Sequence, residues 1–152
     1  EELDLSGENP VASGSFKPGN GWQEVVFDAP VEGRYICLES LNGINDGNTT
    51  AIAELYVTDG QGEKLSREPW TVVYADSEDV SKVNCSADKV FDLQESTYWS
   101  TVRSARYPHC IVIDLGAEHT LGGIQYLPRM EAGTPGAIKD FRIYVKNSRF
   151  KI

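Results

Sequence analysis

The apolar residues of this chain recur at every second position or in short continuous runs, with turn residues between them. An α-helix needs a 3.6-residue stripe, and none of useful length is present, so the pattern restricts the chain to an essentially all-β fold. Strands are expected at residues 11–16, 23–27, 33–40, 53–58, 71–75, 110–115, 121–127, 139–145 and 149–152. Gly, Pro, Asn and Asp punctuate them, as in Pro18-Gly19-Asn20-Gly21, Asn45-Asp46-Gly47-Asn48 and Gly133-Thr134-Pro135-Gly136. Many short strands separated by such turns predict an antiparallel β-sandwich. One helical turn is expected at residues 87–91, capped by Ser86.

Residues 60–69 form the most linker-like stretch, being polar and poor in branched apolar side chains. Cutting there would leave two pieces with incomplete sheets and unpaired edges. A single sandwich over residues 1–152 is the better physical solution. Its 152 residues suffice for one core, and 40% hydrophobic content is too regularly spaced for disorder. No apolar run reaches the ~18 residues that cross a membrane. No charged-then-apolar leader opens the chain, so a soluble fragment is expected, with any export signal outside it.

The net charge of −9 disfavours nucleic acid and anionic membrane surfaces, which need a basic face. Cys37, Cys85 and Cys110 lack metal-ligand spacing. Cys37 and Cys110 fall inside apolar strand patterns, where a thiol acts as a small core residue. His109 and Cys110 are adjacent and would face opposite ways on a strand, which argues against zinc. The sequence carries no nucleophile elbow, no His-Glu-x-x-His and no phosphate-binding glycine loop. The expectation is a binding domain and not an enzyme. His109 reads as a hydrogen-bonded structural residue, Trp70 and Trp99 read as core anchors, and the run Asp76/Glu78/Asp79 carries no signal by itself.

Val90-Phe91-Asp92-Leu93-Gln94-Glu95-Ser96-Thr97-Tyr98-Trp99-Ser100, followed by Ile111-Val112-Ile113-Asp114-Leu115-Gly116, resembles the start of a discoidin-like, coagulation factor 5/8 type C domain. In bacteria this is commonly a family 32 carbohydrate-binding module. Residues 70–152 resemble the family's N-terminal half, whereas residues 1–60 resemble its C-terminal half through Arg34-Tyr35-Ile36-Cys37-Leu38-Glu39-Ser40 and Ala53-Glu54-Leu55. The reversed order implies a circularly permuted jelly-roll sandwich or, alternatively, a chain that straddles two neighbouring domains. If permuted, residues 11–16 must pair with 141–145 or 149–152 of the same molecule.

The resemblance implies further expectations. A structural Ca²⁺ would be held by Asp92, Thr97 and Glu54, although the family carries Gly where this chain has Leu93, and a leucine resists the sharp turn there. A terminal hexose or N-acetylhexosamine would bind on a shallow rim lined by Arg103, Tyr107, Arg129 and Asn42. Residues 42–50 lack the aromatic that relatives often place there. The implied role is a non-catalytic module that targets an attached glycoside hydrolase, such as a chitobiase-like hexosaminidase, in a secreted, periplasmic or cell-surface bacterial protein. The alternative is a spacer that packs on a catalytic domain without binding sugar.

Overall fold

A computed structural model describes residues 2–152. The chain forms β1 (Ala12–Ser15), β2 (Gln23–Ser40), β3 (Ala51–Ile52), β4 (Glu54–Asp59), β5 (Thr71–Ala75), a 3-10 turn (Ala87–Phe91), β6 (Trp99–Ser100), β7 (His109–Leu127) and β8 (Asp140–Lys146). All the ladders between these strands are antiparallel. The expected all-β sandwich is what forms.

Two long strands organise it. The first part of β2 pairs with the last part of β7, Gln23 opposite Tyr126, and its end pairs with the start of β7, Ser40 opposite His109. Around Val26–Val31 and Gly33–Tyr35 the register shifts, so both strands bend from one layer into the other. One layer is β1-β8-β2-β7-β5, built on the 109–114 part of β7, and the other places β4 against the 121–127 part. Four expected strands are therefore two. Asp28-Ala29-Pro30 reads as a break because proline lacks a donor, but it occupies the register shift, where no ladder bond is required. On the facing strand at this same bend, Gly123 lies opposite Val26, and a Cβ there would lie 2.0 Å from the Val25 carbonyl oxygen, so only glycine lets the strands close.

Ile36, Leu38, Ile111, Ile113 and Ile143 from one layer meet Leu55, Val57, Leu121 and Ile124 from the other in a common core. Trp70 and Trp99 are buried within it, as expected. Cys37 and Cys110 are buried on the opposite face of the larger layer with Tyr35, Tyr144 and Phe150, against Leu3 and Leu5. The predicted strand at 149–152 reduces to a bridge between Lys151 and Asp4, and β1 pairs instead with β8, Ala12 opposite Ile143. The turn at Ala87–Phe91 is present, but Ser86 does not cap it. Glu78 Oε2 accepts from Ala87 N at 2.6 Å, because the Ser86 hydroxyl is committed to Asp88.

Residues 60–69 are not a free linker. Leu65 N donates to Val57 O at 2.9 Å and Thr58 bridges Lys64, which folds the segment back along β4 and delivers Arg67 into the interior. Polar composition hid this, because the burial of one arginine leaves no periodic trace.

Candidate functional site: a polar rim and a carboxylate corner

The loops at residues 42–50 and 131–137 are stitched together at one end of the sandwich. Ile44 N donates to Ala137 O (2.9 Å), and Asn45 Nδ2 donates to Gly133 O (2.8 Å) and Thr134 O (3.0 Å). Together they enclose a hollow of about 600 Å³ lined by Asn45, Asp46, Asn48, Thr49, Arg103 and Pro135, among others. Amide, hydroxyl and guanidinium groups converge there, and no lining side chain is aromatic.

Two residues hold this hollow from beneath. The Tyr107 hydroxyl donates to Thr49 O at 3.0 Å. His109, fully buried, places Nδ1 2.7 Å from Asp76 Oδ2 and Nε2 against the Asn48 carbonyl. With an ionised Asp76 both partners only accept, so the doubly protonated ring is the form that satisfies both contacts. Burial pulls its pKa down, but the hydrogen bonds to Asp76 and Asn48, with the Asp76 charge, lift it above the ordinary histidine value. Asp76 also accepts from Cys110 N at 2.8 Å. The acidic run thus supplies a histidine partner and a helix cap.

Of the four expected sugar-contacting residues, Arg103 lines the hollow. Tyr107 sits under it and faces a neighbouring hollow with Arg106 and Pro108. Arg129 stacks over the Tyr98 ring (4.2 Å) and pairs with Glu131 (2.6 Å). Asn42 is engaged twice with Asp140, donating to Oδ2 (2.8 Å) and accepting from its backbone N (3.0 Å). The structure does not gather all four side chains into one lining.

The three expected metal ligands do converge. Asp92 Oδ1 accepts from Gln94 N (3.0 Å), and the Thr97 hydroxyl meets Asp92 Oδ2 and the Gln94 carbonyl (3.1 Å). Leu93 takes φ 66° with its side chain 76% exposed, so the loop keeps the turn that glycine would make. Glu54, at the start of β4, is buried and faces Asp92. Its Oε2 has no hydrogen-bond partner. Burial, opposed by Arg67 and reinforced by Asp92, pushes the Glu54 carboxyl up to about 7. A buried orphan oxygen, a second carboxylate, a hydroxyl and a carbonyl are the hard donors that Ca²⁺ takes, so these residues fit the ion.

Arg67 was not foreseen at this corner. It donates to Glu54 Oε1 (2.7 Å), Val90 O (3.1 Å) and Tyr56 Oη (3.0 Å), and lies 3.8 Å over the Tyr56 ring. A cation from the chain therefore neutralises one side of Glu54 and leaves the other side open.

The chain belongs to the F5/8 type C domain family, whose model matches residues 73–151. It is also 33% identical over 84 residues to a sialidase of Micromonospora viridifaciens, an alignment covering 53% of this chain and 13% of that protein. No helix among the described residues is long and apolar enough to cross a membrane.

Proposed function

We propose that this chain is a non-catalytic carbohydrate-binding module of the family 32 type, attached to a glycoside hydrolase that it holds on glycan outside the cytoplasm. The polar rim hollow carries this reading. Its size suits one sugar ring, and its donors and acceptors match vicinal hydroxyls. A terminal hexose or N-acetylhexosamine occupies it, with Arg103 donating to neighbouring hydroxyls and Tyr107 fixing the floor through Thr49, while Arg129 and Asn42, engaged with Glu131 and Asp140, are not part of its lining. Such a site buries few ligand atoms, so dissociation constants near millimolar, or ~4 kcal/mol, are the expected scale. The sialidase relative supports an attached hydrolase. A chitobiase-like parent rests on the sequence resemblance alone.

The test is calorimetry with galactose, N-acetylglucosamine and N-acetylgalactosamine. At least one should bind, and Arg103→Ala should abolish that heat while leaving the melting temperature in place. A module that binds none of them falls to the spacer reading, which the absence of an aromatic in the rim lining favours.

Ca²⁺ is proposed as a structural ion at Glu54, Asp92 and Thr97. When bound, it supplies the positive charge that Glu54 Oε2 lacks and fixes the loop after Asp92. Binding to the folded state alone raises stability by mass action. A melting temperature indifferent to Ca²⁺ and to chelator would count against the ion.

The order of segments is read as a circular permutation of one domain, residues 1–60 standing for the family's C-terminal half and 70–152 for its N-terminal half. The pairing of β1 with β8 supports it, since a hairpin cut between them would leave both strands paired and the chain ends adjacent.

A further inference from the structure

The rim lacks an aromatic, but the molecule exposes one elsewhere. The six residues between Phe16 and Gln23 form a loop closed by a side-chain clamp: Gln23 Oε1 accepts from Lys17 N (2.8 Å), and Gln23 Nε2 donates to Lys17 O (2.7 Å). At its end Trp22 is 41% exposed, whereas Trp70 and Trp99 are buried. Tyr56 lies 5.6 Å from the indole, centroid to centroid, and Lys64 Nζ lies 5.8 Å from its centre. These contacts restrict the ring, so little rotamer freedom is left to lose on binding.

Trp22 also walls an open hollow of about 580 Å³, whose other lining residues include Ser15, Phe16, Lys17, Glu24 and Phe141. Neither Lys17 nor Glu24 forms an ion pair among the described residues. We propose that the hollow beside Trp22 is a second saccharide-binding site, separate from the rim. An indole accepts the C–H face of a pyranose, and an ammonium and a carboxylate at its edge supply a donor and an acceptor for ring hydroxyls. A protein partner is the poorer match, because the core of a protein interface is depleted of charge and this hollow carries Lys17 and Glu24 in its walls.

Trp22 is the tryptophan that quencher can reach, so acrylamide quenching of intrinsic fluorescence reports on it directly. Probes are methyl β-galactoside, lactose and N,N′-diacetylchitobiose, each with the intact chain. At least one probe should lower the quenching constant by about twofold, as expected when a sugar covers most of an indole face. The protection should persist in Arg103→Ala, so a failed rim site does not remove it. It should disappear in Lys17→Ala/Glu24→Ala, which keeps the fluorophore. Trp22→Ala should remove the quenchable emission without lowering the melting temperature. Three results would overturn the proposal: no protection by any probe, protection that Arg103→Ala abolishes, or protection that appears only when the attached protein is present.

Discussion

The carboxylate corner and the rim hollow use similar chemical groups in opposite ways. At the corner, Glu54 and Arg67 are both buried, each keeps one polar atom without a partner, and Asp92 faces them. At the rim, Arg103 is exposed and the loops satisfy one another through main-chain carbonyls. Charge in the interior is tied to stability, because removing one partner strands the other in a medium that solvates it poorly. Charge on the rim bears little on stability, because water replaces whatever is removed. The corner should respond to protons, metal and mutation, and the rim to ligand.

The strongest way to break this contrast is Arg67→Met. It leaves Glu54 beside Asp92 without a cation and should cost about 3–5 kcal/mol in urea unfolding at alkaline pH. The loss should shrink at acid pH, where Glu54 is protonated, and Ca²⁺ should recover part of it. An equal loss at both pH values would show that packing, not charge, dominates. In the parent protein the sign is fixed by the raised Glu54 pKa. The folded state holds that proton more tightly than the unfolded chain, so without metal stability falls as pH rises from the ordinary carboxylate range to about 7. Ca²⁺ needs the ionised form, so its effect on melting temperature should grow over the same window.

His109→Gln should come next, costing about 1–3 kcal/mol through a buried hydrogen-bond partner left unmet. His109 contributes stability that is complete below the ordinary histidine pKa and lost as pH rises through its raised folded value. The variant should flatten that loss, and chelator should leave the difference unchanged. If Ca²⁺ abolishes it, the His109 contacts and the corner are one system. Leu93→Gly is a smaller effect of opposite sign. Releasing a leucine from φ 66° should gain on the order of 0.5–1 kcal/mol and tighten Ca²⁺. Arg103→Ala should change stability least, within about 0.5 kcal/mol.

How much of this the sequence disclosed depends on the range of the interaction. Alternation of apolar residues is local, and it located the strand segments well, including Ile111 to Leu115 and Phe141 to Val145. It divided β2 and β7 at Asp28-Ala29-Pro30 and Gly116-Ala117, because a turn residue in a register shift looks the same as one in a loop. The grouping of Glu54, Asp92 and Thr97 at one corner was anticipated through family resemblance, whereas Arg67 was not, since its partners lie 11 to 23 residues away on other elements. Trp22 gave no signal either. Its exposure comes from the Gln23 clamp and the bend of the loop, neither of which has a periodicity.

The two bent strands also govern how the chain reaches this fold. None of the named strands forms a ladder with its immediate neighbour in sequence, and the longest ladder joins Gln23–Ser40 to residues 109–127. Each closure between them spans on the order of 70 to 100 residues of chain, so loop entropy must be overcome before any hairpin-like contact can offset it. Refolding on the slow side of the microsecond-to-second range, with no early local ladder, is the expected kinetics. During synthesis β2 emerges long before its partner and waits as an unpaired edge, the state in which a strand most readily joins the wrong neighbour.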